Sequence, residues 1–165
     1  MYPIRLGYDN ALKRINKLID NEHYAESFVT AVFTIEKTLR RTFRQLVVSS
    51  GFKSSLAEKI VKQSNGLHKL IDNWELYDPN HNKFSNIVTS EDITTIKEAA
   101  TIRNKLIHGE KVYNVKIYIE QTQKVLISLE KIKNSFEIEY GYNGWKTAKG
   151  RKISKLHIDP KVKKK

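Results

Sequence analysis

The sequence has no cysteine, three prolines and seven glycines, and each shortage excludes something. Without cysteine there is no disulfide framework, no thiol nucleophile and no thiolate metal site, and the chain suits a reducing compartment. No apolar run approaches the roughly 18 residues that a membrane span needs, and the opening residues lack the positive, apolar, small-residue order of a signal peptide. A cytoplasmic protein that does not enter a membrane is expected. With so little Pro and Gly, long stretches have nothing to interrupt a helix.

Acidic residues are also in short supply, with 18 Asp and Glu against 30 Lys and Arg and a net charge of +12. The excess is uneven. Residues 140–165 hold nine Lys or Arg and a single acid, Asp159, so two thirds of the net charge sits there. A polyanion, nucleic acid first, is the partner this balance favours, because neutralised phosphates release condensed counterions. A solvated or membrane-attracted tail is the plainer alternative.

What is present is a core. At 165 residues the chain is long enough to bury one without staples, and Leu, Ile, Val, Phe and Tyr recur throughout residues 1–139. Leu12, Ile15 and Ile19 form one stripe of a short helix over residues 9–20, with Asp9 as a candidate cap. Tyr24, Phe28, Val32, Ile35, Leu39, Phe43, Leu46 and Val47 recur at three- and four-residue steps and predict an uninterrupted helix over 22–48. Ser55 with Glu58 resembles a capping box for a third helix, which Asn65-Gly66 breaks or bends before Leu67, Leu70, Ile71 and Trp74 resume the pattern. Residues 77–88 read as turn or loop. Thr89 with Asp92 offers a cap for a helix that Gly109 stops, and a last helix runs from about Val115 to Phe136. The fold class is therefore all-α, an up-and-down bundle of four to five helices. Residues 1–139 form the bundle domain, and residues 140–165 form a basic, aromatic-rich extension that is a short hairpin, a packed arm or an unstructured tail.

Chemistry concentrates at the end of the helix that Gly109 stops. Five steps of about 100° set Arg103 and His108 roughly 140° apart around the axis, while Asn104 shares the face of His108. RNA phosphodiester cleavage needs little beyond such groups, since the ribose 2′-hydroxyl is itself the nucleophile. The enzyme must take its proton, protonate the leaving oxygen and stabilise charge at phosphorus. Histidine exchanges protons near neutral pH, and arginine offers a fork of donors to phosphate oxygens. The products are a 2′,3′-cyclic phosphate and a 5′-hydroxyl, without a metal or cofactor. One His is thin for two proton transfers, and a twofold pairing of subunits would bring two histidines and two arginines to one cleft.

The segment Arg103-Asn104-Lys105-Leu106-Ile107-His108 resembles the R-x(4-6)-H motif of the HEPN superfamily, many of whose members also carry Asn after the Arg. The resemblance extends loosely over residues 9–136, through the long second helix with Glu36 and Arg40, a loop, the motif helix and a closing helix. It implies a small α-helical bundle, usually dimeric, and a metal-independent endoribonuclease of the kind found in toxin-antitoxin pairs, antiviral defence or RNA processing. It implies Arg103 and His108 as catalytic residues, Asn104 as their assistant, and Glu36 as a polar contact for the motif helix. RNA, a second copy of the chain and an inhibitory protein are the partners it suggests. Some of these toxins carry, two residues after the His, a Tyr that a partner enzyme modifies; Glu110 stands there instead. Other members are noncatalytic nucleotide-binding, adaptor or dimerisation domains.

Each of these residues has a plainer role as well. His108 can interact with the terminal carbonyls of its helix, Arg103 can pair with Glu98 or Glu110, and Glu36 can pair with Arg40. Lys105, Lys146, Lys149, Arg151 and Lys152 are candidate nucleic-acid contacts, the last four interleaved with Tyr140, Tyr142 and Trp145. Those aromatics serve also to cover the open end of the core or to fill a dimer interface. His23, His68, His81 and His157 are too scattered to suggest a metal cluster, and neither a P-loop nor a nucleophile elbow is present.

Overall fold

A computed structural model describes residues 7–147. These form seven α-helices and no β-strand: α1 (Tyr8–Asp20), α2 (Tyr24–Ser49), α3 (Ser54–Gln63), α4 (Leu67–Asp72), α5 (Trp74–Tyr77), α6 (Ser90–Ile107) and α7 (Val115–Tyr140), with a 3-10 turn at Phe84–Asn86. The all-α expectation holds, but seven helices replace the expected four to five. The region after Gly51 divides into three short helices, because Gly66 takes a positive φ of 86° and Asn73 ends α4 immediately before α5 begins. Among the described residues no helix is long and apolar enough to cross a membrane.

The bundle is built on α2, which packs against every other helix of the fold. Its predicted stripe is the core: Phe28, Val32, Ile35, Leu39, Phe43 and Val47 are fully or almost fully buried. The partner stripe on α7 is Val125, Leu129, Ile132 and Phe136, also sealed from solvent. Both helices have 26 residues, about 39 Å at 1.5 Å per residue, so they face each other along their length.

Trp74 closes one end of this core. Its indole stacks on Phe136 with centroids 5.2 Å apart and meets the edge of Phe84 at 4.9 Å. Its N–H donates to the Tyr140 hydroxyl at 2.9 Å, which in turn donates to Asp78 Oδ2 at 2.5 Å. Asp78 Oδ1 accepts from the backbone N–H groups of Asn80 and Asn82. The segment read as loop, residues 77–88, is thus pinned at both ends, by Asp78 and by the buried Phe84.

Helix ends divide the predicted caps. Thr89 Oγ1 accepts from the Asp92 N–H at 3.2 Å, and the Asp92 carboxylate takes hydrogen bonds from Thr89 and Ser128, as a cap for α6 requires. The Ser55–Glu58 box does not form. α3 begins at Ser54 after an uncapped Lys53, and Glu58 pairs with Arg44 of α2, a charge-assisted contact stronger than one to a neutral N–H. Asp9 lies within the first turn of α1, after Gly7 at the cap position, where its charge still suits the helix dipole. Asn114 caps α7 by accepting from the Ile117 N–H at 3.0 Å, which offsets the β-branched residues of that first turn.

The boundary drawn at residue 139 falls inside α7, which continues to Tyr140 before Gly141 ends it at a φ of 60°. Over residues 141–147 the chain folds back on α2 as a packed arm. Gly144, at φ 85°, lies so close to α2 that a Cβ there would sit 2.8 Å from the Thr38 carbonyl oxygen. That approach lets the Trp145 indole N–H donate to Thr38 Oγ1 at 2.8 Å, with Tyr8 edge-on to the ring and Arg41 over it at 5.0 Å.

Candidate functional site

The motif helix ends as Gly109 predicts. His108 occupies the cap position, Gly109 turns to a φ of 69°, and the N–H groups of Glu110 and Gly109 reach back to the carbonyls of Lys105 and Leu106 at 2.8 and 3.1 Å. This nested pair of bonds satisfies carbonyls that the helix leaves open and fixes where residues 103–108 stand.

One turn earlier, Ala99 and Ala100 are buried, and their lack of bulk lets α6 lie close to α2. Arg103 follows on the flank of that contact. Its Nη2 donates to Glu36 Oε1 in an ion pair whose two side chains are each only 14% exposed. The guanidinium also sits over the Phe33 ring, 5.1 Å from its centroid, and its Nε is buried without a partner among the described residues. Burial pushes the Glu36 carboxyl above its ordinary range, while Arg103 and Arg40 pull in the opposite direction. The expected contact between Glu36 and the motif helix is therefore present, and the plainer pairings of Arg103 with Glu98 or Glu110 are not.

Arg103 and Asn104 open onto a cleft of about 800 Å³ between α2, the start of α4 and α6. Phe33, Lys37, Arg40 and Lys69 are among its walls, and among the described residues Glu36 is the single carboxylate of the lining. Because Arg103 already occupies that carboxylate, the remaining charge facing the cleft is positive, the condition for holding phosphate.

His108 is exposed at the cap and does not line this cleft. Asn104, one turn before it, is the link between the two, lining the cleft while sharing the face of His108. Lys105 is exposed and lies outside the lining. Lys146 is engaged in an ion pair with Glu137, whereas Lys149, Arg151 and Lys152 lie outside the described residues. Among the described residues no three His, Asp or Glu side chains gather where they could hold a metal ion.

Phe33, Lys37 and Arg41 also line the cleft, although none belongs to the motif. The signal was there in α2, whose face opposite the apolar stripe repeats aromatic and basic residues at Phe33, Lys37, Arg40, Arg41 and Arg44. Compared with known protein families, with curated proteins and with solved structures, the chain matches none.

Proposed function

We propose that this chain is a metal-independent endoribonuclease of the HEPN type, acting as a homodimer. The observation that carries the reading is the Arg103–Glu36 pair, which seats the motif arginine in a cationic cleft with Asn104 beside it and His108 exposed one turn on. A guanidinium held from one side by a carboxylate keeps further donors for a phosphate oxygen.

In the proposed reaction His108 of one subunit takes the proton from the ribose 2′-hydroxyl as that oxygen attacks phosphorus. The bond from phosphorus to the 5′-oxygen breaks, and that oxygen receives a proton from the imidazolium of the second His108. Arg103 neutralises the developing charge on the nonbridging oxygens, and Asn104 orients the imidazole or holds a phosphate oxygen. Each chain contributes one His108, outside the lining of its own Arg103 cleft, and in this reading twofold pairing supplies both proton-transfer groups. A toxin or defence role, opposed by an inhibitory protein, is the biological setting in which such an enzyme fits.

The test is incubation with RNA in excess chelator, followed by analysis of the product ends. Fragments with 2′,3′-cyclic phosphate and 5′-hydroxyl termini are expected; 5′-phosphate termini would overturn the mechanism. A second reading, a noncatalytic nucleic-acid-binding domain, is favoured by the separation of His108 from the cleft. It predicts salt-sensitive binding without turnover.

A further inference from the structure

A second cleft, of about 220 Å³, opens between α1, α2 and the Trp145 arm. It shares two residues, Phe33 and Lys37, with the Arg103 cleft, so the two meet along one ridge of α2. Together they form a groove that crosses α2 from Arg14 on α1 to Lys69 on α4. Its cations are Arg14, Lys37, Arg40, Arg41, Lys69 and Arg103, against Glu36 as the sole carboxylate among the described residues of the lining. Two of them are held in place: Lys37 lies 5.6 Å and Arg41 5.0 Å from the centroid of the Trp145 ring, and Arg41 also donates to the Gly144 carbonyl. Burial and the nearby Arg41 weaken the hold of Lys37 on its proton.

The middle of the groove is aromatic. Phe33 is 49% exposed although it projects from the helix at the centre of the fold, and it stands where the two clefts join. The Arg103 guanidinium lies over the ring on one side, and polyanion binding by charge alone has no use for the part that remains exposed. A strand whose bases are free to turn outward does, because each base has a face that can stack on it, whereas a duplex keeps its bases inside.

We infer that this groove binds single-stranded RNA, its backbone tracked between Arg14 and Lys69 and one base stacked on Phe33, so that the strand passes Arg103. The inference rests on the ribonuclease reading and names the form of its substrate. It also assigns a purpose to the packed arm, since the Gly144 turn and Trp145 form the wall that holds Arg41 and Lys37 toward the groove.

The experiment measures binding of the full chain to a short 2′-O-methyl oligoribonucleotide, which lacks the attacking hydroxyl and is not cleaved. Fluorescence anisotropy is recorded over a range of salt concentrations. Arg14, Phe33 and Lys69 are all exposed, so their substitution leaves the core intact. Arg14→Gln with Lys69→Gln should weaken binding and lower the slope of log affinity against log salt by about 1.4, the value for two lost single-strand phosphate contacts. Phe33→Leu should weaken the single strand about tenfold, within the range for one stacked base, and leave a duplex of the same sequence unaffected. Lys124→Gln with Lys131→Gln removes the same charge from exposed positions on α7 and should change binding less. Equal losses from the two lysine and arginine pairs, or native single-strand affinity in Phe33→Leu, would overturn the groove.

Cleavage of unmodified RNA is scored separately. Native binding by the groove variants of a chain that cleaves refutes the groove alone. Groove-dependent binding by a chain that does not cleave supports the groove and refutes the nuclease.

Discussion

Arg103 on α6 and Glu36 on α2 form a largely buried ion pair that ties the motif helix to the central helix of the fold. The two residues are 67 positions apart, and their meeting makes Arg103 a fixed group at the wall of a cleft, not a mobile surface side chain.

The pair carries a pH signature. Because burial raises the Glu36 carboxyl above its ordinary 4.5, the native state binds this proton more tightly than the unfolded chain. The stabilising contribution is complete below that value and is lost as pH rises through the raised folded value. Glu36→Gln keeps a carbonyl oxygen to accept from Arg103 but removes the titration. Its stability relative to the native chain should therefore improve as pH rises above 4.5. Glu36→Ala, which leaves the guanidinium unpartnered, should cost about 1–3 kcal/mol. Urea unfolding of the three proteins between acid and neutral pH measures both effects, and a native chain that gains on Glu36→Gln with rising pH contradicts the assignment.

Tyr140 joins Trp74 to Asp78, and its hydroxyl serves both. Tyr140→Phe removes a donor from Asp78 and an acceptor from the Trp74 indole, at an expected cost of about 1–3 kcal/mol. Burial and Asp78 raise the phenol strongly, so its contribution is present below its ordinary value of 10 and fades only in strong alkali. Equilibrium unfolding followed by tryptophan fluorescence checks this, with an unchanged midpoint in Tyr140→Phe as the contrary result.

Gly144 allows the arm to lie against α2. Gly144→Ala meets both a positive φ and the Thr38 carbonyl, so the arm must shift, at a cost of about 1–3 kcal/mol. The near-ultraviolet circular dichroism of Trp145 should weaken while the far-ultraviolet helix signal persists. Retention of the native near-ultraviolet spectrum would show that the arm is not packed as described.

Helices were legible in the sequence wherever an apolar stripe ran unbroken, as in α2 and α7, because burial of that stripe dominates every competing local preference. Less legible were contacts decided by a distant partner. Glu58 looks like a capping residue until Arg44 comes within reach, and residues 77–88 look like a free loop until Asp78 finds Tyr140. The cationic groove adds Arg14, Lys69 and Arg103 to the basic face of α2, so the sequence shows its centre and only the fold brings the rest together. The motif and its resemblance point to Arg103, Asn104 and Glu36, and the fold brings these three to one cleft. His108 stands outside the lining of their cleft because it is the cap residue, one turn beyond Asn104 along α6.

The central claim is that Arg103 and His108 carry out RNA cleavage. Its most direct measurement is the single-turnover rate on RNA in chelator for the native chain, Arg103→Ala and His108→Ala, each first shown to retain native helicity and a cooperative unfolding transition. The account predicts cleavage by the native chain and a loss of about 100-fold or more in each variant, the scale of removing a proton-transfer group or a charge-stabilising donor. Cleavage by His108→Ala at the native rate would contradict it.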